Sequence, residues 1–215
     1  AALQPRFPDM RVLLGCEAQM NSPEICSIDE ALAAEYEVVL CAGNHYGVKG
    51  VESPSERTPR GYGEHHLRML AGAIHTGFVD VLVHPFVYGE AGGVPGHEVR
   101  VAFRDGEIAD LVALAASRGV AFELNPRHAE PAAEWFRELI QAIRAAGGRV
   151  SLGSDAHNLR SLGYPWRDDP TRSYTWADLS RLFGLRPSDL YTPVCEGCEQ
   201  PVDVETVGGA REGRR

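Results

Sequence analysis

Side chains that can bind metals recur just after short apolar segments of this sequence. A glutamate follows the first segment, histidines follow the next two, and an Asp-x-His pair follows the last: Glu17, His45, His84, Asp155 and His157. Carboxylate oxygens and imidazole nitrogens together suit Zn²⁺, Mn²⁺ or Fe. The Asp-x-His pair alone fits an Asx-turn before a surface histidine equally well. Three histidines placed in this way, together with two carboxylates, favour a divalent metal site.

Strands that alternate with helices would position these groups. Five short strands are predicted, at Arg11–Gly15, Glu37–Ala42, Val79–Val83, Val120–Leu124 and Val150–Leu152. Helices are predicted between and after them, at 27–34, 64–76, 107–117, 131–146 and within 176–190. This alternation is typical of parallel βα units in a single α/β domain. The carboxyl ends of parallel strands share one rim, so the predicted ligands are expected to meet there.

The other histidines are interpreted differently. Those on predicted helices or in loops are read as surface or packed residues: His65, His66, His75 and His97. His128 could be a proton donor or a surface residue, and the surface interpretation is preferred. Cys195-x-x-Cys198 is half of a zinc-ribbon spacing, and without a second pair it is read as a pair of tail thiols.

Composition limits the class of partner. The chain has 215 residues and a formal net charge of −9, which argues against a broad nucleic-acid-binding face. No apolar run reaches the roughly 18–20 residues of a membrane span. Five irregularly spaced cysteines fit reduced thiols better than a disulfide framework, so a cytoplasmic location is expected.

The motifs at the strand ends resemble a known family. They read Gly-Cys-Glu at 15–17, Gly-Asn-His at 43–45, Val-Asp-Val-Leu-Val-His-Pro at 79–85, Glu-Leu-Asn at 123–125 and Gly-Ser-Asp-Ala-His at 153–157. In order and spacing, over about residues 11–165, they resemble the PHP (polymerase and histidinol phosphatase) metal-dependent phosphoesterases. The resemblance implies a distorted TIM-like barrel of seven βα units with two or three metal ions at its carboxyl rim.

Roles for individual residues follow from the resemblance. Glu17 is similar to the carboxylate that bridges two metals, His45 and His84 to ligands of the second metal, Asp155 to a ligand of the first and His157 to a ligand of the third. Asp155 and His157 would also be catalytic. The implied reaction is hydrolysis of a small-molecule phosphoester by metal-activated water.

Two arginines are candidates for substrate binding. Arg127 and Arg160 lie just past strand-end motifs, where a guanidinium could bind a phosphate in bidentate fashion. Each is equally well read as a solvated loop arginine.

The sequence also departs from the family. The His-x-His pair of the family's first strand is not found, and five strands are predicted where the family has seven. Residues 1–191 are therefore expected to be the C-terminal two-thirds of a barrel without its first two βα units, and 192–215 a flexible tail. An upstream segment or a second copy of the chain would cover the open edge of the sheet. Without such cover, apolar residues near Arg11–Gly15 would be exposed.

Two other functions stay open. A PHP module that has lost ligands could serve as a scaffold or regulatory domain. An amidohydrolase-like enzyme acting on a C–N bond would be expected to have a metal-bridging lysine, and the only lysine, Lys49, lies in a predicted loop.

Overall fold

A computed structural model describes residues 11–88, 94–129, 132–158 and 171–193. Strands and helices alternate along these residues, which also contain 3₁₀ turns at Pro126–His128 and Pro187–Asp189. The strands are β1 Gly15–Ser22, β2 Ile25–Cys26, β3 Val38–Ala42, β4 Val81–Val83, β5 Ala121–Leu124 and β6 Val150–Leu152. The helices are α1 Glu30–Ala33, α2 Pro59–His75, α3 Gly96–Val101, α4 Glu107–Arg118, α5 Ala133–Ala145 and α6 Trp176–Phe183.

The strands form one sheet in the order β2-β1-β3-β4-β5-β6. All neighbours are parallel except β2, which turns back antiparallel to β1. Glu17 pairs with Leu40, Leu40 with Val81, and Val81 with Ala121, so the carboxyl ends of four strands lie side by side. The predicted parallel α/β fold is confirmed. The described residues form a six-stranded open sheet, and the seven-unit barrel stays a prediction.

The core lies between the sheet and its helices. Helix α2 contacts α4, α4 contacts α5, and α5 contacts α6. The apolar stripe of α5 shows why these helices dock: Phe136, Leu139, Ile140 and Ile143 are all buried. Each such side chain contributes about 1.5–3 kcal/mol when it leaves water, far more than intrinsic helix propensity supplies. No helix in the described part of the chain is long and apolar enough to cross a membrane.

The first strand differs from its prediction. It runs over Gly15–Ser22, whereas residues 11–14 are not in a strand, so the predicted Arg11–Gly15 strand is wrong. Glu17 therefore lies within β1 and not after it. In β1 the buried Ala18 and Met20 alternate with polar residues, the pattern of a half-buried strand. The prediction followed the apolar run Val-Leu-Leu and missed this alternation.

Helix α2 begins five residues earlier than predicted, at Pro59. The Thr58 hydroxyl accepts a hydrogen bond from the Gly61 amide at 3.0 Å, and Pro59 occupies the first turn, where its missing N–H costs nothing. Reading proline as a loop residue hid this start. Helix α1 is shorter than predicted and is capped by Asp29, not by Ser27, where the predicted helix begins. The other predicted elements lie within a few residues of their expected ends, whereas β2 and α3 were not predicted.

One edge of the sheet is only partly covered. Strand β2 pairs with β1 only at Met20 and Ser22. Among the described residues, no strand pairs with residues 15–18 on the side of β1 that faces away from β3. Just before this edge, Leu14 is 60% exposed and Val12 is 37% exposed. Unpaired strand edges with apolar residues readily accept another strand. Of the predicted 192–215 tail, residues 194–215, including Cys195 and Cys198, lie outside the described residues. Cys16, Cys26 and Cys41 are free thiols.

That a further strand from an upstream segment or a second copy covers this edge stays a prediction. If a second copy pairs there, the chain should sediment as an oligomer, and Leu14→Lys should shift it toward monomer because a charge would be buried in the contact. Val48→Lys is a matched control at another exposed apolar site. A wild-type monomer at high concentration would contradict the second-copy version.

Candidate metal centre

Three of the predicted ligands converge on one point. The ligand atoms of Glu17, His45 and His84 all lie within 4.8 Å of one another. The two imidazole Nε2 atoms are 3.2 Å apart, and Glu17 Oε1 lies 3.8 Å from His45 Nε2 and 3.6 Å from His84 Nε2. With bonds of about 2.0–2.2 Å, ligands of one zinc ion sit roughly 3–3.5 Å apart. Two nitrogens and one carboxylate at this spacing therefore suit a divalent ion.

Neighbouring groups determine the tautomers and protonation states of the side chains in this cluster. His45 Nδ1 lies 3.2 Å from Gln19 Oε1, and this bond places the ring proton on Nδ1 and leaves Nε2 free to bind a metal. Burial, and then His84, lower the pKa of His45. The hydrogen bond with His84 lowers the pKa of the Glu17 carboxyl. A neutral imidazole and an ionised carboxylate are the forms that bind metals.

The other two predicted ligands lie on the wall of the same cavity, which has a volume of about 440 Å³. Asp155 Oδ1 lies 3.0 Å from His157 Nε2, and Asp155 Oδ2 lies 2.9 Å from Arg127 Nη1. Asp155 and His157 are not members of the three-ligand cluster. Arg127 is thus paired with a carboxylate at the cavity, while Arg160 lies outside the described residues.

The cavity is bordered by a turn at His84–Val87 whose backbone is held by side chains. The His84 amide donates to Glu123 Oε2 at 2.6 Å, and the Phe86 amide donates to His66 Nε2 at 3.2 Å. The carbonyls accept from three further residues: Asn44 Nδ2 donates to His84 O and Val87 O, His128 Nε2 to Pro85 O, and Arg100 Nη1 to Phe86 O. The partners come from α2, α3 and the ends of β3 and β5.

This turn holds a strained backbone. His84, Phe86 and Asp155 are the non-glycine residues with positive φ in the described part of the chain, at 33°, 62° and 50°. Such conformations cost on the order of 1–3 kcal/mol each and persist only where surrounding contacts impose them. Two of the three are predicted metal ligands, and the third lies two residues after His84. Strain gathered at one cavity is typical of functional sites.

Two buried histidines that brace the site were not recognised as part of it. His66 is packed in the interior, which is one of the two roles predicted for it. His128 is 1% exposed, so the prediction that it lies on the surface is wrong. Burial lowers the pKa of each to about 3. His66 follows Tyr62 by four residues and precedes Leu70 by four, so the buried stripe of α2 could have revealed it. His128 offers no such pattern.

Glu123 explains the glycine in the Gly-Ser-Asp-Ala-His motif. This carboxylate is buried behind His84, where burial raises its pKa, and it also accepts from Asn125 Nδ2 at 3.2 Å. A Cβ at Gly153 would lie 1.8 Å from Glu123 Oε1. Only glycine fits there, so β6 can approach β5 closely enough to place Asp155 on the cavity. Lys49, by contrast, is exposed and does not line the cavity, which removes support for an amidohydrolase site.

The chain is similar in sequence to curated proteins named as probable phosphatases. No protein-family model matches the chain. It is 31% identical to a probable phosphatase of Shewanella sediminis over 166 residues, covering 74% of this chain and 57% of that protein. It is 29% identical to a probable phosphatase of Proteus mirabilis over 165 residues, which cover 74% of this chain and 58% of that protein. It is 32% identical to a probable phosphatase of Edwardsiella ictaluri over 158 residues, which cover 71% of this chain and 54% of that protein. The chain thus spans little more than half the length of these curated relatives.

A solved structure shares the fold. The crystal structure of histidinol phosphate phosphatase from Lactococcus lactis, complexed with Zn, L-histidinol and phosphate, superposes with a TM-score of 0.54. The fold is similar to that of a histidinol phosphate phosphatase. The match covers 88% of this chain and 72% of that protein at 15% identity, so it shows a common fold and not a common substrate.

The two neutral histidines predict a pH dependence of stability. The pKa of His66 falls from 6.5 to about 3 on folding, so its contribution is complete above pH 6.5 and is lost as the pH falls toward 3. Each such histidine steepens the fall in unfolding free energy by up to about 1.4 kcal/mol per pH unit. We expect His66→Gln to be less stable at pH 7 by about 1–3 kcal/mol, because a buried hydrogen bond is lost, and to show a shallower pH dependence.

Urea unfolding between pH 7 and pH 4 measures both effects. His75→Gln is the matched control, because His75 is exposed on the same helix. Equal pH slopes for His66→Gln and wild type would contradict the prediction.

Proposed function

We propose that this chain is a metal-dependent hydrolase domain that acts on small-molecule phosphoesters. The observation that carries the proposal is the convergence of Glu17, within β1, with His45 and His84, which follow the neighbouring parallel strands β3 and β4. Relatives named as probable phosphatases support it, as does a structural neighbour complexed with zinc and phosphate. The family resemblance of the strand-end motifs points to the same chemistry.

The residues present fit a divalent ion. Glu17, His45 and His84 would hold it, with Glu17 as the bridging carboxylate when a second ion is present. Asp155 and His157, on the same cavity wall, would complete a site for two or three Zn, Mn or Fe ions. Such ions supply a Lewis acid for a phosphoryl oxygen and lower the pKa of water.

The protein's own side chains have separate tasks. Arg127 lines the cavity with its side chain 44% exposed, and we propose that its guanidinium binds the phosphoryl oxygens. Asp155 holds His157 through a 3.0 Å hydrogen bond to Nε2, an arrangement that fixes the orientation of a metal-binding imidazole. The 84–87 turn keeps His84 aimed at the cluster without a loop movement.

Removing a ligand should abolish activity and not the fold. We expect His84→Ala and Asp155→Asn to lower kcat/KM for p-nitrophenyl phosphate by more than about 100-fold, since even partners behind the ligands account for 10–100-fold. A chelator should remove the wild-type activity, and added Zn²⁺ or Mn²⁺ should restore it. His75→Ala, far along α2, serves as the matched control.

Circular dichroism separates chemistry from folding in these variants. Loss of helicity and solubility in both would make the two residues structural. Activity that survives metal removal would contradict metal dependence. Stoichiometric metal binding without any hydrolysis would instead favour the alternative of a scaffold or regulatory PHP-like domain.

Arg127 should affect substrate binding more than metal binding. Arg127→Gln removes a charged hydrogen bond of about 1.5–3 kcal/mol, so we expect KM for phosphoesters to rise by roughly 10–100-fold with metal affinity little changed. Arg118→Gln, at the exposed end of α4, is the control. A variant with unaltered KM would make Arg127 only a partner of Asp155.

A further inference from the structure

Two chains of hydrogen bonds reach the proposed ligand His45. The first runs along β1, where His45 Nδ1 lies 3.2 Å from Gln19 Oε1 and Gln19 Nε2 donates to Asn21 Oδ1 at 3.1 Å. An imidazole that binds a metal through Nε2 carries its proton on Nδ1, and that proton needs an acceptor. Gln19 supplies the acceptor. Asn21 keeps the amide oxygen of Gln19 turned toward the ring, because it accepts from the amide nitrogen.

The direction of this first chain decides whether His45 can bind a metal. His84 Nε2 lies 3.2 Å from His45 Nε2, so one of the two nitrogens can donate to the other. When Gln19 accepts from Nδ1, His45 Nε2 keeps its lone pair and is the acceptor. If the amides of Gln19 and Asn21 both turned over, the His45 proton would move to Nε2 and block the ligand position. Neighbouring hydrogen bonds polarise one another, so the groups of the chain take one direction together.

The second chain starts at the residue after His45. The Tyr46 hydroxyl lies 3.2 Å from His65 Nδ1, and His65 Nε2 lies 3.1 Å from Glu52 Oε1. His65 is 1% exposed and burial lowers its pKa, so the neutral ring can accept from the hydroxyl and donate to the carboxylate. The Tyr46 ring also packs edge-on against Tyr62, with centroids 5.2 Å apart. These contacts hold the backbone that follows His45.

The two chains meet at Glu52. The Glu52 amide donates to the Asn21 carbonyl at 2.7 Å, which joins the end of one chain to the end of the other. His45 is therefore held twice, since the first chain orients its ring and the second, through Tyr46, holds its backbone. A ligand that is already fixed loses little freedom on binding, so such partners raise metal affinity.

We infer that Gln19 and Tyr46 are positioning residues for His45, which raise the affinity of this ligand for a divalent ion without touching the ion. Neither residue lines the cavity of the candidate metal centre. Gln19 selects the Nδ1–H tautomer of the ring, and Tyr46 fixes the place from which the ring points. This inference rests on the proposed function, although the tautomer of His45 is a property of the chain itself.

Nitrogen NMR of the histidine rings tests the tautomer independently of metal and activity. In the metal-free wild type at pH 8, His45 should carry its proton on Nδ1. Gln19→Leu removes the acceptor, so His45 should move the proton to Nε2, where His84 can accept it. Gln19→Glu keeps an acceptor and should keep the Nδ1–H form. A proton on Nε2 in the wild type would overturn the inference, as would an unaltered tautomer in Gln19→Leu.

Zn²⁺ affinity, measured by competition with a chromophoric chelator, tests the consequence. We expect Gln19→Leu to weaken binding by about 10–100-fold, and Tyr46→Phe to weaken it by less because the hydroxyl acts only through the backbone. Gln19→Glu should restore the affinity. Since both residues act through His45, the double variant should lose less than the product of the two single losses. Losses that simply multiply would show that the two residues do not act on a common ligand.

Gln141→Leu, at an exposed position of α5, and Tyr62→Phe are the matched controls and should bind Zn²⁺ as the wild type does. Unchanged affinity in Gln19→Leu would overturn the inference, and hydrolysis of p-nitrophenyl phosphate by the wild type would then still support the proposed function. Zn²⁺ binding that depends on Gln19 without any hydrolysis would keep the inference and reject the enzyme. A wild type that binds no Zn²⁺ would reject both.

Discussion

The hydrogen bonding of the 84–87 turn is the interaction on which the rest of the site depends. Backbone groups in irregular structure normally face water, but those of this turn are buried and must be paired inside the protein. Side chains from four other segments supply the partners, above all Glu123, His66, His128 and Asn44. The same bonds fix the direction of the His84 side chain. The hydrogen bonds that pair the backbone of the turn therefore also set the position of this proposed metal ligand.

At this turn the free-energy cost of the strained backbone is offset by its hydrogen bonds. Two residues with positive φ, His84 and Phe86, cost on the order of 1–3 kcal/mol each, comparable with the net value of a few buried hydrogen bonds. Loss of one partner would leave an unpaired buried group as well as unrelieved strain. The buried histidines suit this task because a neutral imidazole donates at one nitrogen and accepts at the other. Burial also lowers the pKa values of both rings, because it disfavours their charged forms.

The parallel sheet explains why the ligands come from distant parts of the sequence. Adjacent strands β1, β3 and β4 place Glu17, His45 and His84 side by side, although 67 positions separate the first from the last. Asp155 reaches the same cavity from β6 because Gly153 allows a close approach to Glu123. The rigid strand ends then hold the ligands with little freedom, which is what binding a metal with defined geometry requires.

Local patterns in the sequence were enough for the parallel α/β fold and for the three ligands that converge, because apolar runs, caps and strand-end positions are short-range signals. They were misleading at β1, where an exposed apolar run preceded a half-buried strand, and they left the number of barrel strands open. The roles of His66, His128, Asn44 and Glu123 were decided only by the tertiary structure. Each bonds a residue of the turn 20 to 43 positions away through one side chain. No periodicity marks such a contact, since it depends on which strand ends become neighbours when the sheet assembles.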